Sequence, residues 1–130
     1  MNGATLNLGT STVNVYGDII NNGTIVPGTS TVKMIGTTDQ TISGTGTNTF
    51  NKLTVDKSNG NVIISQSPVN VENILTMNDG DINNSELLTL GTTGNTGTLS
   101  YNSGNILGQF KRHVDSDETS LMLFPVDKGT

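Results

Sequence analysis

The chain has 130 residues, a net charge of −5, 13% charged residues and no cysteine. That length suffices for one domain with a modest core. The missing thiols exclude disulfides and thiolate metal sites, and the acidic balance opposes nucleic-acid binding, which needs a basic surface to release counterions.

Met1 is followed at once by the polar stretch "NGATLNLG", so no secretory leader is expected at this start. The start also falls inside an apparent repeat, which points to an excised segment of a larger protein. No apolar run approaches the roughly 18 residues needed to span a bilayer. Thr, Asn, Gly and Ser make up half of the chain, yet Val, Ile and Leu recur in alternating bursts that a disordered linker would lack.

Those bursts predict short strands at "TLNL" (5–8), "TVNVY" (12–16), "TIV" (24–26), "TVKMI" (31–35) and "QTIS" (40–43). They continue through "KLTV" (52–55), "NVIIS" (61–65), "VNV" (69–71), "ILTM" (74–77), "ELLTL" (86–90) and "TLSY" (98–101). Between them lie "YGD", "NNG", "PG", "SNGN", "NDGD" and "GTTGNTG", where Gly and Asn tolerate positive φ. No 3.6-residue period is sustained, so the class is all-β.

Internal repetition separates a solenoid from a sandwich. Shifting the sequence by 19 residues aligns "ATLNLGTSTVNVYG" (4–17) with "GTIVPGTSTVKMIG" (23–36). Leu6 then overlies Ile25, Val13 overlies Val32, and Val15 overlies Met34. The pair Leu53/Val55 recurs 22 residues later as Leu75/Met77, and Leu99/Tyr101 follows after a further 24. Periods near 20 residues suit a β-solenoid, in which stacked coils turn inward positions into apolar columns. Leu88 and Leu90 join the ten column residues from Leu6 to Met77 (Leu6, Ile25, Val13, Val32, Val15, Met34, Leu53, Val55, Leu75 and Met77) as expected core. At about 20 residues per coil the chain makes about six coils.

"NNGT" (21–24), "QTISG" (40–44), "FNKLTVDKS" (50–58), "GNILGQFKRHV" (104–114) and "LFPVDKGT" (123–130) add a second line of inference. The order of these motifs resembles the Thr/Asn/Gly-rich repeat segments of surface and secreted adhesin-like proteins of Bacteroidetes-type bacteria, commonly exported by type IX secretion. The resemblance covers nearly the whole chain. It implies a right-handed parallel β-helix, an extracellular or cell-surface place, and a spacer or adhesion role with no catalytic residues. Residues 1–104 are then the solenoid, and 105–130 a terminal hairpin cap or the start of a following β domain.

Four groups are candidate sites. "NDGDINNSE" (78–86) offers Asp79, Asp81, Asn83 and Glu86 as calcium ligands, but an EF-hand counted from Asp79 would need Gly and Glu where Asn84 and Leu90 stand. The alternative is a solvated turn. "KRHVDSDE" (111–118) gathers Arg112, His113, Asp115, Asp117 and Glu118, which could serve carbohydrate chemistry or form a charged capping loop. "TST" at 10–12 and 29–31 invites an ice-binding face, against outward threonines that merely tolerate the strand. Phe50, Tyr16 and Tyr101 could stack sugars or fill core and corners. "NGT" (22–24) and "NNS" (83–85) fit the N-glycosylation pattern, incidental in a bacterial protein.

The expectation is therefore a non-enzymatic structural module, a rigid spacer or filament-forming segment. Its partners are neighbouring domains of the same polypeptide, further copies stacked head to tail, or extracellular polysaccharide. A carbohydrate-binding or carbohydrate-cleaving β-helix is the alternative, and an ice-binding surface the third.

Overall fold

Alternating Val/Ile/Leu and Thr/Asn/Ser let a strand bury one face and wet the other, and Gly-Asn turns end each strand after a few residues. A computed structural model describes residues 2–85, 87–116, 121, 124 and 125. In it the chain winds into a parallel β-solenoid of about five turns. The first turn holds β1 (Asn2–Asn7), β2 (Thr12–Val15) and β3 (Ile19–Ile20). The second holds β4 (Asn22–Val26), β5 (Thr31–Met34) and β6 (Gln40–Ser43). In the third turn one long strand, β7 (Asn48–Asp56), covers two faces, and β8 (Val62–Ile64) follows. The fourth repeats this with β9 (Val69–Asp79) and β10 (Ile82–Asn84). The fifth comprises β11 (Leu88–Leu90), β12 (Thr98–Tyr101) and β13 (Ile106–Leu107), and β14 (Phe110–Arg112) opens another.

All named strands pair in parallel, in the orders β1-β4, β13-β10-β8-β6-β3 and β14-β11-β9-β7-β5-β2, with β12 also on β9. Parallel pairing through every turn excludes a sandwich. β7 and β9 each bend between faces, where their register shifts between Phe50 and Lys52.

The registers read from the repeats are present. Val13, Val32, Leu53, Leu75 and Leu99 are successive Cα partners, as are Val15, Met34, Val55, Met77 and Tyr101. Leu88 and Leu90 belong to another face, on Val69 and Val71. The third face contributes Gln40–Val62–Ile82–Ile106 and Ile19–Ile42–Ile64. From Val32 to Leu90 these apolar side chains are essentially dry.

Two expectations need correction. Leu6 does pair with Ile25, but its side chain is 43% exposed while Leu8 is buried. Leu6 lies on the first turn, where β1 has a partner strand on one side only. The turns number about five, not six, because they lengthen from 19 residues between Val13 and Val32 to 24 between Leu75 and Leu99. The second arm of the expected terminal hairpin, "TSLMLFPV" (119–126), lies largely outside the described residues. β13 and β14 extend the parallel ladders past residue 104 onto β10 and β11.

Candidate functional site

A concavity among the described residues lies where the face carrying Val69 and Leu88 meets the corner after β11. Outward positions of β7, β9 and β11 stack Thr49, Asn70 and Thr89 as Cα partners, forming a polar floor. The next residues in register are Glu72, Gly91 and His113 on consecutive turns. Gly91 thus puts bare backbone between a carboxylate one turn below and an imidazole one turn above. Thr92 and Thr93 rise beside it, and the groove so enclosed measures about 370 Å³.

The wall is the corner segment 91–97, "GTTGNTG". Thr92 and Asn95 exchange backbone hydrogen bonds of 2.7 and 3.0 Å, closing a tight antiparallel turn. Asn95 Nδ2 donates to the Glu72 carbonyl at 3.2 Å, and Arg112 donates to the Gly97 carbonyl at 3.2 Å. The wall is therefore tied to the turns below and above. Gly91 adopts φ +94°, and a Cβ there would lie 2.7 Å from the carbonyl oxygens of Asn95 and Thr96. The close approach of the corner backbone to Gly91 depends on glycine.

The expected polar cluster is divided. His113 lines the groove. The Arg112 guanidinium lies 5.7 Å over the Phe124 ring, and Asp115 Oδ1 accepts from the Gly94 N–H at 3.4 Å. Asp117 and Glu118 fall outside the described residues.

The calcium candidates are also occupied otherwise. Asp79 Oδ1 accepts from the Gly80 N–H at 2.9 Å, and Asp81 Oδ1 accepts from the Asn105 N–H at 2.8 Å. Asn83 is exposed on β10, and Glu86 lies outside the described residues. Asp81 belongs to a recurring device, since Asp39 likewise receives the Asn61 N–H and Asp18 the Thr41 N–H. Each carboxylate pins the turn above it. Among the described residues no three His, Cys, Asp or Glu side chains converge as a metal site.

Phe50 is buried in the core, whereas Tyr16 and Tyr101 are exposed on the surface, so the three form no stacking platform. The column beginning Thr12–Thr31 continues to Lys52 and then Ile74, so its threonines span two turns.

A buried polar spine went unread in the sequence. Lys57, only 1% exposed, donates from Nζ to the carbonyls of Gly36 (3.0 Å) and Thr38 (2.8 Å) and to Gln40 Oε1 (2.7 Å). Gln40 Oε1 also accepts from the Gly36 N–H at 3.0 Å, while Nε2 donates to the Val15 and Gly17 carbonyls at 2.9 and 2.7 Å. Two side chains thereby join three turns. Burial pulls the Lys57 pKa below its ordinary 10.5, outweighing the upward pull of the Asp39 carboxylate.

The groove residues Glu72, Asn70, Thr49 and Thr89 were likewise missed. The available signal was the glycine-rich 91–97 stretch together with the longer 24-residue step across it.

Fold and site together define a parallel β-solenoid with a polar corner groove. No protein-family model, no curated protein and no solved structure matches the chain. No helix among the described residues is long and apolar enough to cross a membrane.

Proposed function

We propose that the chain is a rigid spacer segment of a large bacterial cell-surface or secreted protein. The observation that carries this reading is the density of ties between successive turns. Backbone ladders run on every face, and Gln40, Lys57, Asp39 and Asp81 add side-chain bonds across them. Five turns at the inter-strand spacing give an axial length of about 24 Å. The outer surface is mostly hydroxyl and amide side chains of low charge density, which keeps a long rod soluble without committing it to one partner.

Pulling the chain from its two ends in a single-molecule force experiment tests the mechanical part. Unfolding should begin at an end and proceed turn by turn at sustained force. Collapse of the whole segment at the low forces that extend a helical bundle would sink the spacer reading. Antibody against the segment should also label intact cells of the source bacterium; label seen only after lysis would overturn the surface placement.

A further inference from the structure

We propose that the groove at the Gly91 corner binds a neutral saccharide chain. This does not rest on the spacer reading, since a spacer needs no groove. Along the corner, Glu72 and His113 stand two strand spacings apart at the backbone, about 9.6 Å, with side-chain-free Gly91 between them. A sugar ring lying in the groove across Gly91 meets a carboxylate on one side and an imidazole on the other.

The chemistry of the lining selects the ligand class. Threonine hydroxyls both donate and accept, the Asn70 amide does both, and a carboxylate accepts from two neighbouring hydroxyls. A polyol offers donors and acceptors at every carbon and matches such a surface. The Glu72 carboxylate and the net charge of −5 disfavour an anion. Hydroxyl, amide and carboxylate groups left unpaired by an apolar ligand would oppose its binding. The column Asn70–Thr89 continues along the axis, so a chain lying in the groove finds a hydrogen-bonding side chain at each turn. The wall is already held by Asn95 and Arg112, which lowers the ordering cost of binding.

The test is a titration of the isotope-labelled chain with xylo-, cello- and manno-oligosaccharides, and separately with oligogalacturonate, followed by amide chemical shifts. At least one neutral series should shift the Thr89, Gly91, Thr93 and His113 amides saturably. Glu72→Gln should weaken that binding by at least about tenfold, the loss of a hydrogen bond to a charged group. Its fold should persist, because the wall uses the Glu72 carbonyl, not its side chain. Thr93→Lys should abolish binding by filling the groove, and Asn14→Ala on another face should leave it unchanged. The proposal is overturned by no saturable shift with any neutral series at tens of millimolar, by an undiminished response in Glu72→Gln, or by tighter binding of oligogalacturonate.

Discussion

Lys57 shows how one residue can bind turns together at an electrostatic cost. Gly80 on the turn above makes room for its stem, since a Cβ there would lie 3.0 Å from the Lys57 Cβ, and Gly36 on the turn below presents its carbonyl to the ammonium. All three ammonium protons find acceptors. Lys57→Met preserves much of the volume but leaves those acceptors buried and unpaired, so it should lower unfolding stability by about 3 kcal/mol in a urea titration. The pH dependence has a definite sign. The folded-state pKa lies below 10.5, so between the two values the unfolded chain holds the extra proton and stability rises with pH. Below the folded-state pKa the charge is carried in both states and its desolvation cost is present in full. The stability gap between wild type and Lys57→Met should therefore widen as the pH is raised from neutrality towards 10.5. A gap that narrows over that range would contradict the buried-ammonium account.

At the scale of strand and corner, the two "GTSTV" stretches provide a matched comparison. Gly9 and Gly28 have φ +55° and +56°, and the Thr29 N–H donates to the Gly9 carbonyl at 2.8 Å. They differ in what lies beneath. A Cβ on Gly28 would sit 2.2 Å from the Gly9 oxygen, whereas one on Gly9 meets nothing within 4 Å. Gly9→Ala should thus cost about 1 kcal/mol, the left-handed backbone penalty alone, and Gly28→Ala should cost clearly more, about 3 kcal/mol. Thermal melts of the two variants check this, and equal losses would refute the stacking argument. The same pair marks the limit of sequence reading. Repetition sets which residues pair, so Val13 on Val32 and Leu53 on Leu75 were legible. Exposure of Leu6 was not, because burial depends on whether another turn lies beneath. Lys57 was illegible for a different reason, since a lysine beside Asp56 at the head of the turn-forming "SNG" reads as a solvated turn residue unless Gly80 of the next turn is aligned with it. The groove escaped because its floor is ordinary Thr and Asn, and only the lengthened corner at 91–97 distinguishes that turn from the rest.

Across the whole molecule the two ends differ. At the far end the Phe124 ring meets Phe110 edge-on at 5.9 Å and 63°, Arg112 lies over it, and the Ile106 N–H donates to the Pro125 carbonyl at 2.7 Å. These contacts cover β13 and β14, whose edges would otherwise stand unpaired on that side. On the first turn, β1, β2 and β3 each pair on one side only, and Leu6, Tyr16 and Ile20 are exposed. In a stack whose turns contact only their neighbours, stability is a sum of local terms and end turns open first. Amide hydrogen exchange should accordingly be slowest in β7 and β9, where Leu53, Val55, Leu75 and Met77 are fully buried, and fastest in β1 to β3. Phe124→Ala removes the ring contact and the cation–π contact, a loss of about 1–2 kcal/mol. Its effect should be confined to the exchange of β13, β14 and the adjoining part of β11. Uniform acceleration across all turns would show instead that the solenoid opens as a single cooperative unit, and that the covered end holds the whole ladder closed.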